Sequence, residues 1–244
     1  YPKVLSEMKM PDLLSEKRII DPLFMYSKEE LLNKIGIAKA KIKVPNKDGL
    51  MYMPCKREGK GIYFPNKIQE LTSYWTLFEL KRAEMEGYEI LEIYDSVIYR
   101  ELPFNPFKEF MVKLYNLRKD SDEIFNKVIK ILMNSLGSKF AQYRPRTERK
   151  VCHRAEYKKF EKMGYYIENE FGEQYMIRKD FEKVLPKYAH PIITIMMTAY
   201  ARDYLYWNLK KIPFKDLLYC DTDSIAFKGN YIEKFNINNE LGEW

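Results

Sequence analysis

Two aspartates flank one threonine in LLYCDTDSIAF, residues 217 to 227, between two apolar runs that alternate with period two. The alternation predicts two half-buried strands, with Asp221, Thr222 and Asp223 at the tip of the hairpin joining them. Aspartates suit turns, because their side chains bond nearby backbone amides. Two carboxylates on a rigid tip also repel each other unless a cation sits between them, so Asp221 and Asp223 are candidate magnesium ligands. A second chemistry lies in KVIKILMNSLGSKF, residues 127 to 140. On a helix, Asn126, Lys127, Lys130, Asn134 and Gly137 share one arc, opposite an apolar arc of Phe125, Val128, Ile129, Leu132 and Leu136. The polar arc reads either as an ordinary solvated face or as a phosphate-binding lysine beside a face kept open for a flat ligand. A third stretch is PIITIMMTAYARDYLYWNLKK, residues 191 to 211. There Thr198 and Arg202 share a helix face, either simply exposed or placed to hold a nucleic-acid backbone, while Ile195, Met196, Ala199 and Tyr206 pack inward.

Regular elements must position these groups. Ser27 caps a short helix over residues 28 to 35, and IAKAKIKVP and LMYMP read as strands around a turn from Asn46 to Gly49. GIYFPNKIQELTSYWTLFELKRAEMEG reads as a strand, a turn at Pro65 and Asn66, and a long helix ending near Gly87. A strand or pair of strands follows in YEILEIYDSVIYREL. Asn105 and Pro106 start one helix, and Asp120, with Glu123 three residues on, starts the next. Arg118 and Lys119 then sit at the tip of a helical hairpin. The segment after it reads as a β-hairpin insertion, followed by a helix over residues 191 to 211.

Composition narrows the classes. The chain has 244 residues, 46% of them hydrophobic, enough to bury a core in one or two domains. The best apolar run, Pro191 to Ala201, is interrupted by two threonines and meets Arg202, so no membrane partner is expected. Cys55, Cys152 and Cys220 show no paired spacing and only two histidines occur, which argues against a disulfide framework or zinc site and for a reducing, intracellular setting. The chain opens on Tyr1 with no leader, the expectation for an excerpt of a longer polypeptide. The net charge of +7 is uneven: residues 142 to 162 hold eight Lys or Arg against three Glu, or +5. Tyr143, Tyr157 and Phe160 interleave with those charges, as where phosphates and bases are both met, so Arg144, Arg146, Arg149 and Lys150 are candidate DNA contacts. A solvated face is the plainer reading of the same run.

Taken in order, Lys130-x-x-x-Asn134-Ser135-Leu136, then TAYAR ending at Arg202, then YCDTDS from Tyr219, the chain resembles the polymerase half of family B DNA polymerases. KILMNSLGSKF is similar to that family's fingers motif, TAYAR to its primer-contacting motif, and YCDTDS to the palm motif that carries metal-binding aspartates. The opening Tyr1-Pro2 resembles the tail of the first palm motif, whose tyrosine lies under the incoming sugar. The material between Tyr1 and Asn105, a second insertion and the closing LGEW resemble the protein-primed branch of viruses and linear plasmids.

The resemblance implies an α+β fold: an antiparallel palm sheet with packed helices, helical-hairpin fingers and two insertions. Residues 1–25 would start the palm, 26–104 would hold an insertion plus palm elements, and 105–142 the fingers. Residues 143–187 would be the basic insertion and 188–244 the palm with the metal-binding hairpin. It implies template-dependent nucleotidyl transfer from dNTPs to the 3′-hydroxyl of primer-template DNA, or to a hydroxyl of a terminal priming protein. Tyr1, Arg118, Lys130 and Asn134 would bind nucleotide; Ser135, Thr198, Arg202 and Tyr219 would join the basic run on DNA. Asp221 and Asp223 would help hold two Mg2+ ions roughly 3.5–4 Å apart, with a further aspartate upstream of Tyr1. Residues 1–244 alone are therefore expected to extend no primer. For a viral protein the setting would be host cytoplasm.

Two departures stand out: Gly137 and Ser138 replace the family's Tyr-Gly, and the upstream aspartate is outside the sequence. A non-catalytic, basic nucleic-acid-binding module explains the charge but leaves the order of the three motifs as coincidence. A phosphatase of the haloacid-dehalogenase type places its aspartates near the chain start, and a reverse transcriptase requires adjacent aspartates.

Overall fold

The computed structural model describes residues 1–57, 60–222, 224–238 and 240–242. In chain order the elements are α1 (Pro2–Glu7), β1 (Lys17–Ile20), α2 (Lys28–Leu32), β2 (Ile35–Lys43), β3 (Cys55–Arg57), β4 (Lys60–Tyr63), β5 (Glu70–Thr76), α3 (Leu77–Met85) and β6 (Glu89–Tyr99). They continue with α4 (Lys108–Lys119), α5 (Glu123–Lys139), β7 (Arg144–His153), α6 (Tyr157–Glu161), β8 (Tyr166–Phe171), β9 (Gln174–Val184), α7 (Pro191–Leu209), β10 (Leu217–Asp221) and β11 (Ser224–Phe227). Strand pairing is antiparallel throughout the described residues. The fold is mixed helix and antiparallel sheet, divided into two compact units, Tyr1–Ser138 with Ile192–Trp244, and Lys139–Pro191.

The main sheet of the first unit runs β1-β6-β2-β5. Its centre is β2, IAKAKIK, where Ala38, Ala40 and Ile42 are fully buried and alternate with lysines that reach solvent, the period of a strand packed on one face. Helix α3 covers that core with Leu77, Leu80 and Ala83. Thr76 and Glu79 close its first turn as a capping box, and Ser27 and Glu30 do the same for α2.

Three expectations for this unit are corrected. Of the long helix predicted to end near Gly87 only Leu77–Met85 is helical, because ELTSYWT pairs along β2 as β5, from Glu70 opposite Lys43 to Thr76 opposite Ile37. Aromatic and β-branched residues there fit a pleated, half-buried surface better than a helix. LMYMP is buried but is not a strand; the amides of Tyr52 and Met53 both donate to the Tyr88 hydroxyl, at 3.1 and 3.2 Å, in place of a ladder. The start of α5 is capped by Asp122, whose Oδ1 accepts from the Phe125 amide at 2.8 Å, rather than by Asp120.

The second unit is a three-stranded sheet in the order β7-β9-β8, one strand more than the predicted hairpin, with α6 over one face. Ile177 at its centre is fully buried among Cys152, Tyr165 and Tyr175.

Helix α7 is tied to the core of the first unit by carboxylates. Glu86, just past α3 and 5% exposed at its side chain, accepts from Lys210 at 2.7 Å and Lys47 at 3.0 Å, and also from the Tyr206 hydroxyl. Burial pushes the Glu86 carboxyl up, but the hydrogen bonds from Lys210, Tyr206 and Lys47 outweigh it and hold the pKa below the usual value of 4.5. A carboxyl lowered on folding contributes stability that is complete above the unfolded value and is lost as pH falls through the folded one. Glu86→Ala is expected to cost about 3–5 kcal/mol, since it strands two ammonium groups and a phenol. Denaturant midpoints measure that loss. Glu86→Gln should flatten the decline of stability below about pH 4.5.

Candidate active site

Helices α4 and α5 form an antiparallel hairpin whose ends are held by side chains. At its base the Asn105 carboxamide accepts from the Phe107 amide at 2.8 Å and donates to the carbonyls of Leu5 and Met8 at 2.9 and 3.0 Å. Near the tip, Arg118 Nε donates to Asn126 Oδ1 at 3.1 Å, and Asn126 Nδ2 returns a bond of the same length to the Arg118 carbonyl.

The buried row of α5 is Ile129, Met133 and Gly137, whereas Phe125, Val128 and Leu132 are exposed. The predicted apolar arc is thus rotated, and Gly137 belongs to the packed face rather than the open one. Its partner is α7. A Cβ on Gly137 would lie 2.1 Å from the Met197 sulfur and 2.6 Å from its methyl. Thr194 Oγ1 donates to the Gly137 carbonyl at 2.6 Å. The buried Met197 thioether from the neighbouring helix fills the space beside Gly137.

One cleft of about 730 Å³ gathers the residues singled out for nucleotide contact: Tyr1 ahead of α1, Arg118 from α4, Lys130 and Asn134 from α5, and Thr222 from the β10–β11 turn. Among the described residues no carboxylate lies within ion-pair distance of Arg118 or Lys130. Glu7 and Glu240 also line the cleft, so cations and carboxylates face the same space. Asp221 pairs with Ser224 across the hairpin, and Thr222 takes a left-handed φ of 48°. The Thr222 hydroxyl donates to Asp221 Oδ1 at 2.9 Å. Asp223 lies outside the described residues. Among those described, no three His, Cys, Asp or Glu come together as a metal cluster. The Asp221 oxygens are hard donors of the type magnesium takes, and Asp221 is exposed.

Other predicted contacts lie outside this cleft. The hydroxyl of Ser135 is turned back to the Leu132 carbonyl, and that of Thr198 to those of Thr194 and Ile195. Tyr219 is exposed on β10, which within the described residues shows little of the predicted half-burial. Arg202 is bound to Glu79. A second cleft of about 780 Å³, lined by α7 and several lysines, contains none of the predicted site residues.

In the second unit the basic run divides by partner. Arg149 bonds both oxygens of Glu168, at 2.6 and 2.9 Å, and Lys150 pairs with Glu148 at 2.8 Å. Arg144 and Arg146 have no acid partner among the described residues; their guanidinium groups lie over the rings of Tyr188 and Phe181, 5.2 and 5.0 Å from the centroids. Cations stacked on exposed-edge aromatics keep their charge available to an anion.

The mixed helix and antiparallel sheet fold is like that of solved DNA polymerase structures. The chain is similar to phi29 DNA polymerase complexed with primer-template DNA and incoming nucleotide, at 18% identity and a TM-score of 0.71. Its likeness to the binary complex of the same enzyme with primer-template DNA has a TM-score of 0.69, also at 18% identity. In both, 100% of this chain is covered and 40% of that one, so the chain spans well under half the length of those polymerases. At that identity the likeness is one of fold. No curated protein matches the chain. The family model for DNA polymerase type B, organellar and viral, matches residues 1–240, and the chain belongs to that family.

Sequence reasoning missed Glu79 as the partner of Arg202. Its signal was present, Thr76-x-x-Glu79 being a capping box, but nothing local announces a partner 123 residues away. It also misplaced Gly137. Gly137→Ala is expected to destabilise the protein by about 1–3 kcal/mol through overpacking against Met197. Adding Met197→Ala should restore part of that loss. A double-mutant cycle from denaturation midpoints measures the coupling, and purely additive effects would show that the two side chains do not meet.

Proposed function

We propose that residues 1–244 are the polymerising core of a template-dependent DNA polymerase of the protein-primed branch. The carrying observation is the cleft in which Tyr1, Arg118, Lys130, Asn134 and Thr222, the residue after Asp221, meet from four separate stretches of sequence. A triphosphate brings about four negative charges, and Arg118 and Lys130, which have no acid partner among the described residues, would supply cations where those charges lie. Asn134, one turn along from Lys130, faces the same space, and Tyr1 would lie under the sugar. The main sheet and the β10–β11 hairpin serve as palm, and α4 with α5 as fingers. Closure of the fingers would bring the cations onto the phosphates.

Asp221 and Asp223 would hold magnesium. When bound, such ions lower the pKa of the primer 3′-hydroxyl and stabilise the departing pyrophosphate. The chain's own task is positioning: the β10–β11 turn would present the Asp221 carboxylate, and the Arg118–Asn126 staple keeps the hairpin tip in one conformation. Ser135, Thr198, Arg202 and Tyr219 would meet primer-template DNA, and Arg144 and Arg146 would meet phosphates from the second unit. A terminal protein hydroxyl would serve as primer at initiation. A purely nucleic-acid-binding module accounts for Arg144 and Arg146 but has no use for the cleft.

Primer extension by the full-length polypeptide tests the reading. Asp223→Asn should abolish incorporation with primer-template affinity unchanged, and Lys130→Ala should raise the nucleotide KM. Incorporation by Asp223→Asn within about tenfold of wild type, about 1.4 kcal/mol, would exclude the metal role. Salt titrations separate the basic residues. Arg144→Ala with Arg146→Ala should lower the slope of log affinity against log salt by about 0.9 per lost contact on duplex DNA, or about 0.7 on single strands. Arg149→Ala and Lys150→Ala should leave the slope nearly unchanged, because both cations are already paired.

A further inference from the structure

We propose that Glu79, on α3, is a positioning residue for Arg202, presetting the guanidinium that meets the DNA strand. The inference rests on the reading of Arg202 as a DNA contact and adds the group that holds it. Glu79 is 4% exposed at its side chain, and both its oxygens are used. Oε2 accepts from the Thr76 amide at 3.2 Å and the Thr76 hydroxyl at 2.9 Å. Oε1 accepts from Arg202 Nε at 3.1 Å and Nη2 at 2.6 Å. The carboxylate therefore grips one edge of the guanidinium and leaves the Nη1 edge uncommitted. The Arg202 side chain is 32% exposed, so part of it reaches solvent.

The support is rigid. Leu77 and Leu80, on either side of Glu79, are fully buried against the main sheet, and the capping box fixes the first turn of α3. An exposed arginine on a lone helix samples many rotamers and must be ordered when it binds. Here the ordering is done during folding, so a phosphate meets a preset donor pair. The charge logic agrees. A buried carboxylate keeps a guanidinium near it, yet one carboxylate does not satisfy five N–H donors.

The grip is not what docks α3 on α7. Phe78 stacks on Tyr200 at 4.1 Å, and Arg82 lies 3.7 Å from Asp203, so the helices are held together on both sides of the Glu79–Arg202 pair. Glu79→Gln keeps the shape and still serves a capping box. With its one oxygen on Thr76 it turns an NH2 toward Arg202, and so removes both the charge and the acceptor that orient the guanidinium.

The test measures primer-template Kd, nucleotide KM and denaturation midpoint for Glu79→Gln, Arg202→Ala, Arg202→Lys and the Glu79→Gln/Arg202→Ala pair in the full-length polypeptide. Arg202→Ala is expected to raise the primer-template Kd about 10- to 100-fold, the range for a lost charged hydrogen bond. Glu79→Gln should raise it by about 3- to 10-fold with nucleotide KM unchanged. The double variant should bind no worse than Arg202→Ala, and Arg202→Lys, which lacks the fork, should fail to rescue. Wild-type Kd for Glu79→Gln beside a weakened Arg202→Ala overturns the positioning role alone. Wild-type Kd for both, with lowered midpoints, makes the pair a structural strut and removes Arg202 from the DNA interface. A protein that extends no primer under any condition fails at the earlier step, and Kd measurements on it still decide the Glu79 question.

Discussion

Burying a carboxylate is strongly unfavourable unless cations and hydrogen bonds surround it, and this chain buries three at the contact between α7 and the rest of the first unit. Glu79 meets Arg202, Glu86 meets Lys210 and Lys47, and Asp203 accepts from Tyr52 and the Trp207 ring nitrogen at 3.0 Å each. None of these pairs is local in sequence except Asp203 with Trp207. Each forms only when α7 lies in one place and one rotation against α3 and the segment around Tyr52. An apolar interface of equal area would tolerate sliding; two charge matches and one hydrogen-bonded carboxylate do not. The position of α7 then decides that of α5, through the close approach at Gly137, and α5 carries Lys130 and Asn134.

Much of the candidate site was legible because its parts are written locally. Ser27 and Glu30 announce α2, alternation announces β2 and the β10–β11 hairpin, and the period of α5 places Lys130 and Asn134 on one face. The failures arise where a distant partner decides. ELTSYWT reads as the start of the helix that follows it, yet becomes a strand because β2 offers a ladder. The phase of α5 is set by Met197, not by the count of apolar residues on each arc. The charge run of the second unit reads as one patch in sequence, but Glu168 pairs with Arg149 and Glu148 with Lys150, so of the four predicted contacts only Arg144 and Arg146 have no acid partner among the described residues.

Family membership and residue geometry carry different parts of the functional reading. The family model speaks for the chain as a whole. The cleft speaks for particular side chains, and it separates Tyr1, Arg118, Lys130 and Asn134, which share one space, from Ser135 and Thr198, whose hydroxyls are turned back to their own helices.

The reciprocal bonds between Arg118 and Asn126 have a mechanical meaning. Two antiparallel helices joined only by a short loop can shear past each other, which would change the distance between charges carried on different arms. Bonds running in both directions across the tip resist that shear, and Asn105 anchors the other end to α1. The hairpin is therefore a single lever rather than two arms. Any tilt about its base moves the Arg118 and Lys130 charges together at fixed spacing, so the spacing belongs to the lever and only its angle is left to vary.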